Sequence, residues 1–462
     1  MENFKKQFKD KKITIMGLGL LGRGLGYTKF LAECGANLIV TDLKTKEQLA
    51  TSIKALSKFK DIKFVLGEHK LEDFKDRDMI IKAAGVPLDS IYIKEAVKNN
   101  IPVEMDVSLF SKCAPDVILV GVTGTRGKSM TTTLIYEILK NNEKFLKQKV
   151  YIGGNVRGVA TLPLLKKVKK GDILVCELDS WQLQGFGDAK LSPHISVFTS
   201  FMPDHMNYYK NDMDKYFSDK ANIFKYQNDN DVLIIRPGMK KFIKTKDVKG
   251  KFVVVNTNKI EDLNFSVPGK FQKENLAAAI EVAKQFNIPD AKIAKAIKNF
   301  KGLEGRLQYL KTIKGVKIYN DNNATTPEAT MAGIEALSLT TDVGRLLQTS
   351  NVCKNIILIC GGADKGLNLD TFVKVLNKYC KVVIMIPGTG TDRLESLNLK
   401  VESYKVKDLK EAIKEAFKQS KKGLPAQAGD IILFSPAFAS FGMFNNEYER
   451  NDLFMKLIKQ LK

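Results

Sequence analysis

Gly121-Val-Thr-Gly-Thr-Arg-Gly-Lys-Ser129 stands between an apolar run, Val117 to Val120, and a stretch of helical periodicity, Met130 to Leu139. A buried strand, a glycine turn and a helix, in that order, bring backbone N–H groups and the positive end of a helix to one spot, where phosphate groups are held. Gly124, Thr125 and Gly127 form the turn, Lys128 is placed to reach the β- and γ-phosphates, and the Ser129 hydroxyl suits Mg²⁺. ATP is the expected ligand. The first glycine comes one residue early for the strict pattern, since Val122 stands six residues before Lys128.

Outward from this turn the same alternation repeats. Upstream, apolar runs at Ile13 to Met16, Leu38 to Thr41 and Met79 to Lys82 alternate with helical patterns, which predicts a doubly wound parallel sheet. Downstream, runs near Ile173 to Cys176 and Ile195 to Thr199 belong with the ATP turn, and a helix near Asn275 to Phe286 closes that cycle. A third cycle starts near Gly302, with strands expected at Val316 to Tyr319, Asn355 to Cys360, Val382 to Ile386 and Asp430 to Phe434. The expectation is an α/β protein of three Rossmann-like domains in series, at 1–112, 113–301 and 302–462, the central one of P-loop ATPase type.

The first segment carries its own nucleotide fingerprint, Gly17-Leu-Gly-Leu-Leu-Gly22, with Asp42 ending the next strand about 20 residues on. Alone it would suggest a dehydrogenase. A dehydrogenase needs no ATP loop, however, so two nucleotide sites in one chain favour a nucleotide-bearing substrate beside ATP.

Composition sets the outer limits. A chain of 462 residues, 44% hydrophobic, is long enough for several cores. Met1 to Asp10 is charged and aromatic, unlike a signal peptide, and no run reaches the roughly 18 unbroken apolar residues of a membrane span, so a soluble cytoplasmic protein without membrane insertion is expected. Cysteines 34, 113, 176, 353, 360 and 380 form no CxxC pair, which points to reduced thiols rather than zinc or disulfides. The net charge of +23 is spread along the chain as lysine. A basic nucleic-acid-binding ATPase would use that charge directly, and it predicts salt-sensitive binding to DNA or RNA; no RNA-binding signature accompanies it, and a nucleic-acid partner is not expected.

The Thr-Gly-Thr-x-Gly-Lys-Ser form of the ATP turn resembles that of the Mur ligases and the related folylpolyglutamate synthases. Further segments resemble Mur ligase motifs in the same order. Glu177-Leu-Asp-Ser-Trp-Gln-Leu183 is similar to Glu-Leu-Ser-Ser-Phe-Gln-Leu, Thr199 to Met206 to Thr-Asn-x-x-x-Asp-His-Met/Leu, and Tyr216 to Phe224 to a segment whose lysine is carbamylated by CO₂. Gly153-Gly-Asn-Val-Arg-Gly158 resembles Gly-Gly-Asn-Ile-Gly with Arg157 inserted, and Gly269 to Asn275 resembles Gly-x-His-Asn-x-x-Asn with Phe271 and Gln272 in place of His-Asn. Gly302 to Arg306 is similar to Gly-Leu-x-His-Arg with Gly305 in place of His, and Asn320 to Thr325 to Asn-Asp-Ser-Lys-Ala-Thr with Asn323 in place of Lys. Gly361 to Gly366 and Ser435 to Ser440 complete the series.

The resemblance implies roles. Lys128, Glu177, His205 and Lys220 would be catalytic, with Ser129, Glu177, His205 and a carbamate on Lys220 serving two Mg²⁺ ions. Asn275, Arg306 and Asp321 would join Gly124, Thr125, Gly127, Lys128 and Ser129 at ATP. Gly17, Leu20, Gly22, Asp42, Gly85 and Asn155 would hold a UDP-sugar, and Thr325, Lys365 and Ser440 the carboxylates of an incoming amino acid. The implied activity is ATP-dependent ligation of D-glutamate to UDP-N-acetylmuramoyl-L-alanine through an acyl phosphate, in peptidoglycan precursor synthesis, by a monomer. The L-alanine-adding branch of the family is the alternative.

Overall fold

The computed structural model describes residues 2–20, 22–257, 265, 267–298, 300, 302–338, 354–420 and 429–461. Leu21 of the first glycine turn, Cys353, and the expected domain limits at Met1, Lys301 and Lys462 lie outside them. The chain forms two compact units, one of Met1–Asp262 with Glu274–Ile297, the other of Leu263–Lys273 with Lys298–Lys462.

The first unit holds two sheets. Across one, the strands run Ile62–Leu66, Asn37–Asp42, Lys12–Met16, Met79–Lys82 and Val103–Glu104, all parallel. This is strand order 3-2-1-4-5, so the topological switch point lies between Lys12–Met16 and Met79–Lys82, where a doubly wound sheet opens its ligand crevice. The other runs Lys251–Val254, Val232–Ile235, Ile195–Phe198, Ile118–Thr123, Ile173–Glu177 and Val150–Gly154, again all parallel. Strands covered on both faces read as unbroken apolar runs, and every residue of Ile173–Glu177 is buried.

One apolar core serves both sheets of this unit. It contains Phe8, Ile13, Phe30 and Leu38 from the first layer together with Leu162, Leu174, Leu183 and Phe198 from the second. Gly26 lies so close to Ala160 that a side chain there would collide with it.

The second unit has a six-stranded sheet in the order Gln308–Ile313, Val316–Asn320, Ile431–Phe434, Ile356–Cys360, Cys380–Met385 and Glu402–Lys405. The first of these is an antiparallel edge strand that the sequence reading did not anticipate; the remaining pairs are parallel. Separate cores cover its two faces, with Phe271 packed against one of them. Among the described residues no helix is long and apolar enough to cross a membrane, and Cys34, Cys113, Cys176, Cys360 and Cys380 are free thiols.

Candidate active site

The ATP turn leaves the central strand Ile118–Thr123 and enters the helix Lys128–Asn141. Gly124 (φ 143°) and Gly127 (φ 91°) occupy backbone space that L side chains avoid. A Cβ on Gly124 would run into Thr199 Oγ1, and one on Gly127 would come within 2.6 Å of Asn275 Oδ1. The segment after Ile195–Phe198 braces the turn: the Thr125 N–H donates to Ser200 O (2.8 Å), the Arg126 N–H to Ser200 Oγ (2.8 Å), and the Thr125 hydroxyl to Met202 O (3.1 Å).

Two lysine amines meet at this turn. Lys128 Nζ donates to Gly124 O (2.9 Å) and Thr125 O (3.2 Å), and Lys220 Nζ donates to the same Gly124 oxygen (3.1 Å). Lys220, from the helix Met213–Ala221, is 1% exposed and lies 4.9 Å from the centre of the Tyr216 ring. Burial, and then the neighbouring Lys128 cation, drives its pKa well below the usual lysine value, against the pull of Asp179, Asp204 and Glu177.

Glu177 ends the strand beside the turn and is buried. Its carbonyl accepts from the Asn155 N–H (2.7 Å) and its Oε1 from Asn155 Nδ2 (3.4 Å). His205, in left-handed conformation (φ 56°), packs against Trp181 with ring centres 4.7 Å apart and the planes tilted by 47°. Burial lowers its pKa, which keeps the imidazole neutral and able to accept or ligate. Asp204 beside it pairs with Arg126 (3.3 Å). Asp179 and Gln182 close a capping box on the helix Ser180–Ala189. Asn275 Oδ1 accepts from Thr131 Oγ1 (3.2 Å) and Arg236 (3.4 Å), which sets Asn275 against the base of the ATP turn.

No group of three His, Cys, Asp or Glu side chains among the described residues could hold a metal alone. A cation beside Glu177 and Ser129 would therefore take further ligands from phosphate oxygens and water, which is the habit of Mg²⁺ and fits this donor set.

At the first glycine turn Gly17, Gly19 and Gly22 all have positive φ. Asp42, 4% exposed, accepts from the Gly19 N–H and the Lys44 N–H (2.9 Å each), so this carboxylate shapes the turn. Leu20 is exposed, and nothing stands within 4 Å of a Cβ on Gly85. Two residues here went unremarked in the sequence. Arg23 donates to Asn155 Oδ1 (2.7 Å). Lys82 is buried beneath the Gly85 loop, donates to Val86 O (2.9 Å), and has its pKa pushed by burial down to about 8.

In the second unit Asp321 accepts from the Leu307 N–H and the Ser435 hydroxyl (2.9 Å each), and burial raises its pKa to about 7. This places Arg306, which precedes Leu307, next to the Asp321 loop, and Arg306 is among the charges that lower the Asp321 pKa. Lys365 Nζ reaches Thr325 Oγ1 (3.2 Å). The Ala363 and Ala439 backbones pair in both directions (2.9 and 3.1 Å), drawing the 361–366 loop to the segment that ends in buried Ser440. Gly305 and Asn323 are neighbours: a Cβ on Gly305 would sit 3.2 Å from the Asn323 side chain. The two departures from the motif pattern thus fall at one contact. Arg450, also missed, is fully buried and donates to Asn322 Oδ1 (2.8 Å), Asn322 O (3.0 Å) and Phe438 O (3.3 Å), tying both loops to the last helix.

Comparison with known proteins matches three family descriptions in order: the Mur ligase MurD-like N-terminal domain at 11–104, the Mur ligase middle domain at 122–245, and the Mur ligase glutamate ligase domain at 305–438. The chain is 34% identical to the UDP-N-acetylmuramoylalanine--D-glutamate ligase of Borreliella afzelii (strain PKo), covering 98% of this chain and 99% of that protein. It is 30% identical to the enzyme of the same name from Clostridioides difficile (strain 630), with 98% and 99% covered. Among solved structures, UDP-N-acetylmuramate-alanine ligase from Thermotoga maritima shares the fold at 18% identity and TM-score 0.60, over 98% of this chain and 100% of that one. MurF ligase from the same organism, in complex with ADP, does so at 16% and 0.55, over 99% and 96%. From its first glycine turn to the loops of its last sheet, the chain belongs to the Mur ligase family.

Proposed function

We propose that this chain is an ATP-dependent C–N ligase that adds D-glutamate to UDP-N-acetylmuramoyl-L-alanine in peptidoglycan precursor synthesis. The observation that carries the reading is similarity at 30–35% identity, along 98% of the chain or more, to enzymes named for that reaction. Domain limits at 1–112, 113–301 and 302–462, a cytoplasmic location and a monomeric working form belong to the same proposal.

In this reading the carboxylate of the alanyl end attacks the γ-phosphorus of ATP. The bond to the β,γ-bridging oxygen breaks, ADP departs and an acyl phosphate forms. The D-glutamate amine then attacks the acyl carbon, phosphate leaves, and the amine proton passes to solvent or a base. Gly124, Thr125 and Gly127 cradle the phosphates with backbone N–H groups. Lys128, now turned onto the carbonyls of its own loop, neutralises the charge on the transferring phosphoryl group. Ser129 and Glu177 would hold one Mg²⁺, and His205 with Lys220 a second; bound Mg²⁺ screens the phosphate oxygens from the incoming carboxylate. The depressed pKa of Lys220 favours the neutral amine that can attack CO₂, losing a proton to give the carbamate, an oxygen ligand of the hard type Mg²⁺ needs. Asn275, Arg306 and Asp321 contact the nucleotide. Gly17, Leu20, Gly22, Asp42, Gly85 and Asn155 receive the UDP-sugar, and Lys365 with Thr325 and Ser440 takes the glutamate carboxylates, a cation with hydroxyl donors being suited to a diacid.

The test is phosphate release from ATP with UDP-N-acetylmuramoyl-L-alanine or the sugar lacking alanine, crossed with D-glutamate, L-alanine, L-lysine or buffer. Release that needs both the alanyl precursor and D-glutamate is expected. Release only with L-alanine and the bare sugar moves the chain to the neighbouring branch, and no release with any pair removes the ligase reading.

A further inference from the structure

Arg23 is the first residue of the helix that follows the first glycine turn, Arg23–Glu33. Its neighbour Gly22 faces the 153–158 turn, and a Cβ on it would be in ordinary contact with Gly158 Cα at 3.7 Å. Among the described residues the Arg23 guanidinium donates one hydrogen bond, to Asn155 Oδ1 at 2.7 Å. The other end of the same amide, Asn155 Nδ2, faces Glu177 Oε1 at 3.4 Å. A guanidinium only donates and a carboxylate only accepts, so a single orientation of the Asn155 amide satisfies both. Asn155 is itself fixed to Glu177 through its backbone (N–H to O, 2.7 Å), and Gly154 (φ 82°) lets the chain press against that carbonyl. A neutral amide therefore stands between a cation at the first glycine turn and the carboxylate beside the ATP turn, connecting them without pairing their charges.

We propose that Arg23 is a positioning residue that couples occupancy of the first glycine turn to the placement of Glu177, with Asn155 as the connecting piece. This rests on the reading that the turn receives the UDP portion of the substrate and that Glu177 faces the γ-phosphate of ATP. The guanidinium has five N–H donors, and those not directed at Asn155 can take diphosphate oxygens. Drawing Arg23 toward an anion shifts Oδ1 of the rigid, planar amide, and Nδ2 shifts with it. The donor that Glu177 meets therefore depends on whether the UDP-sugar is bound. Coupling of this kind is reciprocal: nucleotide at the ATP turn must tighten UDP-sugar binding by the factor with which UDP-sugar tightens nucleotide binding.

Calorimetric titration of the full chain with UDP-N-acetylmuramoyl-L-alanine, with and without Mg²⁺ and the β,γ-imido analogue of ATP, measures that factor without turnover. The wild-type chain is expected to bind the UDP-sugar about fivefold more tightly or better when the analogue is present. In Arg23→Ala each ligand still binds, but the ratio of the two dissociation constants falls to near one. Arg23→Gln keeps an amide donor for Asn155 and loses the cation; it should weaken UDP-sugar binding while retaining part of the coupling. A purely structural Arg23 would lower the Tm and leave the ratio at its wild-type value in Arg23→Ala, and that result overturns the proposal, as does a wild-type ratio of one. Should Arg23→Ala fail to fold, Arg23→Gln decides, since wild-type affinity and coupling there would equally overturn it. A wild-type chain that binds the ATP analogue and no UDP-sugar refutes the functional reading itself, and this inference with it.

Discussion

Around Gly124 two lysine amines converge on one carbonyl oxygen, and the charges of Asp179, Asp204 and Glu177 act on the Lys220 amine. Around Asp321 a single carboxylate is closed in by a hydroxyl and a backbone N–H, while buried Arg450 is closed in by an amide and two carbonyls. Both places lie at the C-terminal ends of parallel strands, where doubly wound sheets put their ligands. The first gathers amine donors at a glycine turn ahead of a helix N-terminus, donors that an arriving polyanion can take over. The second closes its carboxyl and guanidinium groups in hydrogen bonds within the unit and so holds two loops in fixed positions. Charge serves binding in one and shape in the other.

The largest effect expected from this contrast is on catalysis. Lys128→Ala should lower phosphate release by roughly a hundredfold to a thousandfold, the loss usual for one donor aimed at developing charge, with no fall in Tm. A variant that unfolded instead would show that the lysine holds the loop rather than the ligand. Next comes Arg450→Leu, which leaves Asn322 Oδ1, Asn322 O and Phe438 O without their donor. A loss of about 3 kcal/mol in denaturant unfolding of the second unit is expected; wild-type stability would mean those loops do not depend on the last helix.

Asp321 sharpens the contrast through pH. Its folded pKa of about 7 lies above the ordinary 3.8, so between those values the folded state keeps a proton that the unfolded state has released. Stability should fall as pH rises through that window, by at most about 1.4 kcal/mol per unit, with the cost complete above pH 7. Asp321→Asn should flatten that slope, and an unchanged slope in urea titrations would contradict it. Lys82 gives the smallest effect and the opposite sign. Its folded pKa of about 8 lies below 10.5, so the unfolded state binds more protons between them, and stability should rise across that range. The burial cost is complete below pH 8. Lys82→Met should remove the rise, and a slope that persists would assign it to other groups.

Much of this was legible because glycines at positive φ and apolar strand runs leave marks in sequence. Gly124, Gly127 and the turn at Gly17 to Gly22 fall where the spacing put them. Edge strands such as Ile62–Leu66, Gln308–Ile313 and Glu402–Lys405 did not stand out, because half-covered strands mix polar and apolar residues and lack a continuous run. Nothing local marks Arg450 or Lys82 as buried, since each depends on partners brought by tertiary packing. The Arg23 to Asn155 hydrogen bond joins residues 132 positions apart, beyond any periodic pattern. Gly305 and Asn323 read as two separate departures until their contact made them one local change.

The core shared by the first two sheets has a consequence for synthesis on the ribosome. The strands from Lys12 to Glu104 are complete when little over a hundred residues have been made, yet Phe30, Leu31 and Val107 belong to a core that also needs Leu162, Leu183 and Phe186. At roughly 5 to 20 residues per second the nascent sheet waits roughly 4 to 16 seconds, from Glu104 to Phe186, before that apolar face is fully covered. Apolar surface left open in this way is what makes a nascent chain prone to aggregate, and a slower codon stretch between residues 113 and 186 would lengthen its exposure.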